Sequence, residues 1–260
     1  MLIPVSANQV DLWLCFNDDI TPPQLQLYRD TLLTSEERAR ELRFHFERDR
    51  KQFVITRALV RTTLSRYAEV LPADWQFVAS SHGRPQIVQA AAGHISFNLS
   101  HTAGLVVLAV SAQQQLGVDV ENLATRAAPL EIANHYFSAP EAKSLFELPA
   151  KEQGARFFHY WTLKEAYIKA KSLGLSIPLA DFGFQLAQPG RVEIEFYKPI
   201  EPDPLNWQFF LLQASEQHVV SVGLQQVMDV QLRLHKIRPL FAEENFNANL
   251  LRQTRSGQSI

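Results

Sequence analysis

The 260 residues hold 25 lysines and arginines against 27 aspartates and glutamates, a formal net charge of -2, and 46% of them are apolar. That content can close a core over one large domain or two ordinary ones, and the balanced charge excludes a global basic field for nucleic acid or an anionic membrane, so any anion site must be local. The single cysteine, Cys15, excludes an internal disulfide and a cysteine-built metal centre, and it fits a reducing compartment, with the cytoplasm expected.

The chain opens without the charged start of a secretory signal, and its longest apolar run, 104–112, is too short to span a bilayer. Residues 10–16 alternate as a strand, Thr21-Pro22-Pro23 turns the chain, and 24–33 reads as a short helix. Thr34-Ser35-Glu36-Glu37 starts another, with Thr34 or Ser35 as cap and acids in the first turn where the helix dipole favours them. The densest basic cluster follows, Arg38, Arg40, Arg43, Arg48, Arg50 and Lys51; interleaved with glutamate, it reads by itself as a solvated face. A long helix is predicted over 49–67, because Phe53, Val60, Leu64 and Tyr67 share one arc beside a ridge of Arg50, Arg57 and Arg61. Strands are predicted at 75–79, 94–99 and 104–110, the last two forming a hairpin turned by 100–103. In the loop after the first of these, His82-Gly83-Arg84-Pro85 combines a glycine that permits close backbone approach with a forked donor suited to phosphate; a plain turn uses the same residues.

Residues 117–121, GVDVE, read as a strand, and a period of two puts Asp119 and Glu121 on one face. Adjacent carboxylates repel unless a cation or several donors compensate, and an all-oxygen set suits Mg2+, which takes its other ligands from water and substrate phosphates. The polar connector 122–126 is a natural hinge or lid. Ser138-Ala139-Pro140-Glu141 spells a capping box ahead of a short helix, and a long helix runs from Lys151 to a terminator at Gly174. Within it WTLKEAYIKAK, 161–171, has an apolar arc of Leu163, Ala166, Tyr167 and Ala170, with Trp161, Lys164, Glu165, Ile168 and Lys169 opposite. Glu165 and Lys169 have the i, i+4 spacing of an ordinary surface pair; if Glu165 instead faces Asp119 and Glu121, the three carboxylates make a metal site. Strands return at 182–186, 192–196, 207–213 and 219–224, and 240–260 is expected to be a partly ordered tail.

The order of elements repeats. Residues 49–111 and 153–224 each run from a long helix through a strand and a Gly-Arg turn to two further strands, so an α+β fold is expected in which two similar subdomains pack as a pseudo-dimer, each a long helix on a small antiparallel sheet. The boundaries expected are 1–116, 117–239 and the tail 240–260. GVDVE followed by WTLKEAYIKA, and preceded by Gly83-Arg84-Pro85 and Asn98-Leu99-Ser100-His101, resembles the 4'-phosphopantetheinyl transferases of the surfactin-synthetase-activating (Sfp-like) class. The four motifs stand in family order over residues 35–180, and their joint occurrence is far more specific than any one of them.

The resemblance implies one site between the halves and a Mg2+-dependent transfer of 4'-phosphopantetheine from coenzyme A to a serine of a carrier protein, with 3',5'-ADP as the other product. It implies that Arg40 holds the 3'-phosphate, that Arg84 touches the nucleotide end, and that Ser100 and His101 touch the phosphates. Glu37 departs from the family pattern, which has a lysine nearby. Asp119, Glu121 and Glu165 are then the metal ligands, Glu165 the base, acting directly or through a metal-bound water, and Lys169 the cation on the phosphate under attack. A monomer acting on no nucleic acid and no membrane is expected. Another metal-dependent phosphodiesterase would use a similar carboxylate set without a protein acceptor, and an inactive carrier-binding module would need no such set.

Overall fold

The computed structural model describes residues 2–80 and 82–254. The first half contains β1 (Gln9–Phe16), α1 (Pro22–Thr31), α2 (Ser35–Glu41), α3 (Glu47–Leu64), β2 (Phe77–Ala79), β3 (Pro85–Ile87), β4 (Ser96–Thr102) and β5 (Leu105–Ser111). The second contains β6 (Leu116–Asn122), α4 (Ala133–Tyr136), α5 (Ala139–Phe146), α6 (Ala150–Lys171), β7 (Phe182–Gln185), β8 (Gly190–Arg191), β9 (Glu193–Phe196), β10 (Trp207–Gln213) and β11 (His218–Gln225). Three more strands close the chain: β12 (Gln231–Arg238), β13 (Ala242–Asn245) and β14 (Asn249–Gln253).

Two five-stranded sheets result, in the orders β13-β12-β1-β5-β4 and β6-β11-β10-β14-β8. Their centres match: β1-β5-β4 and β6-β11-β10 are antiparallel runs in the same connectivity, each with a long helix (α3 or α6) and a small hairpin (β2–β3 or β7–β9). The expected pseudo-dimer of two α+β units is the observed architecture.

Val10, Leu12 and Leu14 of β1 share one core with Val118 and Val120 of β6 and Val220, Val222 and Leu224 of β11, so the sheets pack face to face. On the other face of β1, Trp13 and Cys15 join a second core with Ile55, Leu59 and other residues of α3. A third core joins α6 to Phe209 and Leu211 of β10. Each sheet is covered on both sides, and β5 is accordingly buried at every position of LVVLAVS.

Three expectations change. Ser100 and His101, expected in a hairpin turn, lie in β4, which pairs with β5 as far as Thr102 against Leu105; the turn moves to 103–104, where Gly104 has φ +91°. His82 to Arg84 connects the paired strands β2 and β3 and is itself a hairpin turn. The chain after 230 is sheet: β12 runs parallel to β1, β13 pairs with β12, and β14 crosses back to pair with β10 and β8. Residues 240–254 are therefore not a partly ordered tail, and β12, counted with the second half in the sequence, lies in the sheet of the first. The reason is visible in QLRLHKIR: Leu232 and Leu234 enter the inter-sheet core while Arg233 and His235 turn to the other face. The expectation for 255–260 falls outside the described residues.

Candidate active site

The site begins with a glycine. Gly117, Asp119 and Glu121 occupy alternate positions of β6, and a Cβ on Gly117 would stand 2.0 Å from the Ala166 carbonyl oxygen and 2.5 Å from the Ala170 amide nitrogen. Only hydrogen there, opposite two alanines, lets α6 lie directly on the strand. That contact brings the next turn of the helix over Asp119, where Lys169 Nζ is 2.6 Å from Asp119 Oδ1. Ser100 of β4 completes the cluster: its Oγ donates to Asp119 Oδ1 at 2.9 Å, and Lys169 Nζ stands 2.9 Å from the same Oγ. Asn98, also on β4, accepts the amide of Val118 at 2.9 Å and pins the two strands side by side. The site thus spans both halves.

The like-charge problem of Asp119 and Glu121 is solved in part by Lys169. Asp119 is buried, and its Oδ2 has no hydrogen-bond partner. Glu121 has Arg126 Nη2 at 3.7 Å, and burial, followed by the Asp119 charge, pushes its carboxyl from 4.5 up to about 7. Burial and then Asp119 also raise Glu165, although Lys169 opposes the shift. The ordinary surface pair that the spacing of Glu165 and Lys169 would allow is not formed, because the ammonium turns to Asp119. Lys169 is also the residue of α6 that reaches Asp119, and among the described residues no three His, Cys, Asp or Glu side chains stand close enough to hold an ion together. The orphaned Asp119 Oδ2 and the desolvated Glu121 nevertheless fit a hard divalent cation that keeps waters and takes phosphate oxygens for its remaining ligands.

Two cavities flank this cluster. A groove of about 850 Å3 is lined by Arg40, Phe44, Phe53, Arg57, Leu99 and His101. Arg40 and Arg57 both stand over the Phe53 ring, at 5.8 and 5.1 Å. Desolvation and then the nearby Lys169 lower the His101 pKa, although part of the side chain is exposed to solvent. Glu37 caps α2 through Thr34 and pairs with Arg61 at 2.9 Å and Arg57 at 3.5 Å, so the arginine ridge of α3 is not a solvated face. Arg61, 2% exposed, donates to the carbonyls of Pro72, Ala73 and Trp75 as well.

A smaller cavity of about 360 Å3 lies across α6, lined by Arg84, Phe97, Leu99, Glu165, Ile168 and Lys169. Arg84 lines this cavity with Lys169, and its neighbours Gly83 and Pro85 also line the groove that holds Arg40 and His101. Its guanidinium is hydrogen-bonded to Ser172, Lys169 and Phe97. Lys164, on the face opposite the predicted apolar arc, is 1% exposed and bound to Glu141 and the carbonyls of Leu179 and Phe182; Trp161 stacks on Phe157. Arg57, Asn98 and Gly117 were not singled out by the sequence. Gly117 had a signal, since a glycine inside a strand pattern marks close backbone approach; Asn98 and Arg57 had none beyond their place in a motif or ridge.

Two α+β halves close on a buried aspartate, a half-buried glutamate, a lysine and a serine, and the class of protein that the chain matches is the 4'-phosphopantetheinyl transferases. Residues 115–223 match the family model of the 4'-phosphopantetheinyl transferase superfamily, and 21–113 match that of the 4'-phosphopantetheinyl transferase N-terminal region. The chain is similar to 4'-phosphopantetheinyl transferase Sfp of Bacillus subtilis, 33% identical over 182 residues that cover 67% of this chain and 79% of the relative. It is similar also to 4'-phosphopantetheinyl transferase HetI of a Nostoc species, 35% identical over 171 residues, 65% of this chain and 71% of the relative. Against the L-aminoadipate-semialdehyde dehydrogenase-phosphopantetheinyl transferase of Xenopus laevis the identity is 27% over 230 residues, 81% of this chain and 74% of the relative. This chain belongs to the 4'-phosphopantetheinyl transferase family, and it is an enzyme that transfers the phosphopantetheinyl group.

Proposed function

We propose that the enzyme moves 4'-phosphopantetheine from coenzyme A to a serine hydroxyl of an acyl, peptidyl or aryl carrier protein. The serine oxygen attacks the phosphorus that bears the pantetheine arm, the pyrophosphate P–O bond breaks, and 3',5'-ADP leaves with the electron pair. The observation that carries this reading is the cluster of Lys169, Ser100 and Asp119 at the junction of the halves, with one aspartate oxygen unpartnered.

In this reading Asp119 and Glu121, with Glu165 as the third carboxylate, would hold Mg2+. Bound there, the ion would neutralise pyrophosphate charge. Glu165 takes the serine proton; burial and then the Asp119 charge raise its pKa, which makes it a stronger base than a free carboxylate, and it lines a cavity beside Lys169. Lys169 exchanges its contact with Ser100 for a phosphate oxygen, Ser100 turns its one hydroxyl proton from Asp119 to the same phosphates, and His101 donates beside it. Arg40, without an ion pair among the described residues, takes the 3'-phosphate from the groove. The enzyme acts as a single chain, in the cytoplasm, on no nucleic acid; the internal pseudo-dimer supplies both sides of the site, and no helix among the described residues is long and apolar enough to cross a membrane.

Incubation with coenzyme A, Mg2+ and an apo carrier protein, read by intact mass, tests the reading. A gain of one phosphopantetheinyl group on the carrier is expected. Release of product to water with the carrier unmodified would favour a phosphodiesterase instead.

A further inference from the structure

Arg84 is the predicted phosphate ligand whose two terminal nitrogens are both bound to acceptors of the protein. Its Nη1 donates to Ser172 Oγ at 2.7 Å and to the Lys169 carbonyl at 3.3 Å, and its Nη2 donates to the Phe97 carbonyl at 2.9 Å. The first two acceptors belong to the C-terminal end of α6, and the third stands three residues before Ser100 in β4. None of these acceptors is a carboxylate. The charge is offset instead by the helix end, where aligned carbonyls leave a partial negative charge that a cation stabilises.

The same contacts hold an unusual backbone. Ser172 caps α6 with φ 56°, a left-handed conformation that costs energy in a residue with a Cβ and persists where surrounding contacts enforce it. The Arg84 bond to Ser172 Oγ is one such contact.

We propose that Arg84 is a positioning residue for the transfer reaction: its guanidinium clamps the end of α6 to β4 and so holds Lys169 opposite Ser100 and Asp119. Two ties join these elements. One runs through backbone, Lys169 carbonyl to Arg84 to Phe97 carbonyl; the other runs through side chains, Lys169 Nζ to Ser100 Oγ at 2.9 Å. The inference rests on the reading that Lys169 leaves Ser100 for a phosphate oxygen during turnover. At that moment the side-chain tie opens, and the Arg84 clamp remains as the direct hydrogen-bonded tie between the end of the helix and β4. A lysine at 84 would keep the charge but lose the planar fork that reaches three acceptors on two elements.

The test compares Arg84→Lys and Arg84→Ala with the parent, using coenzyme A and an apo carrier protein at a temperature where all three are folded. A misplaced reacting group costs up to about 100-fold, so kcat should fall by about 10- to 100-fold while KM for coenzyme A changes by less than about 3-fold. Millimolar guanidinium should restore part of the Arg84→Ala rate, which general destabilisation would not allow. Amide exchange over 166–173 should quicken in both variants without any substrate present. A coenzyme A KM raised about 10-fold with kcat preserved, or near-normal turnover by Arg84→Lys, would make Arg84 a phosphate ligand and overturn the proposal. If the parent itself failed to modify the carrier, the functional reading would fall, and unchanged exchange at the end of α6 would still sink the clamp on its own. Should both Arg84 variants fail to fold, Ser172→Ala removes one acceptor only and should shift kcat in the same direction by a smaller factor; no shift counts against the clamp.

Discussion

The faces of β1 and β6 that turn toward the two long helices occupy equivalent places, and they have been put to opposite uses. On β1 the face carries Asp11, Trp13 and Cys15. Asp11 is buried, and both its oxygens are filled: Oδ1 accepts from Gln9 and from Arg233 Nε at 2.7 Å, Oδ2 from Tyr67 at 2.6 Å and from Arg233 Nη2 at 2.9 Å. Trp13 donates to the same Tyr67 hydroxyl and packs into the core beneath α3, and burial pushes the Cys15 thiol up to about 12. On β6 the face carries Gly117, Asp119 and Glu121. Asp119 has one oxygen filled and one empty, and Glu121 is desolvated beside it. What separates Asp11 from Asp119 is unused acceptor capacity, since burial is shared, at 2% exposure for Asp11 and 6% for Asp119.

The sharpest way to break this contrast is Glu165→Gln. The amide keeps the size of the side chain but cannot take a proton, so the chemical step should fall by about 100- to 10,000-fold while coenzyme A affinity holds. Single-turnover transfer at saturating Mg2+, beside calorimetry, measures both; near-normal transfer removes Glu165 as base.

Gly117→Ala attacks the spacing instead. The added methyl would overlap the Ala166 carbonyl, which belongs to backbone and cannot rotate away, so a loss of about 3 kcal/mol in urea unfolding is expected, together with activity. A variant of parental stability would mean that α6 has room to lift.

A third comparison sets Asp11→Ala against Asp119→Ala. Removing Asp11 strands a bidentate arginine and a buried tyrosine, at a cost of about 2 kcal/mol given that the Arg233 side chain is 37% exposed. Relief of like-charge repulsion alone would make Asp119→Ala stabilising without metal. The 2.6 Å bond from Lys169 reverses that sign, and a loss of about 1 kcal/mol is expected because the lysine can turn to water. Equal losses would erase the distinction between the faces, and only Asp119→Ala should abolish carrier modification with the fold retained.

The smallest effect is in pH. Glu121 binds its proton more tightly folded than unfolded, with pKa raised from 4.5 to about 7, so its contribution is fully present below pH 4.5 and is lost as pH rises through 7. Without divalent metal, parent minus Glu121→Gln should lose about 1 kcal/mol across that window, a figure discounted for partial exposure. A difference that rises with pH would show Glu121 held as an anion by donors.

Much of this was legible in the residues. Alternation placed Asp119 and Glu121 on one face of a strand, capping signals placed α2 and α5, and the repeated order of elements gave the two halves. Composition also ruled out a cysteine-built centre. These follow from local rules, since strand and helix periods and cap preferences act within a few residues. Tertiary structure alone decided the rest. Lys169 chose Asp119 over Glu165 because α6 sinks onto Gly117, Arg84 turned to the end of α6 because acceptors and the negative end of the helix dipole gather there, and β12 joined β1 because its two leucines complete a core assembled from both halves. In each case a side chain's partner lies tens or hundreds of positions away, and pairings of that kind depend on which surfaces are buried together, a property that no window of sequence contains.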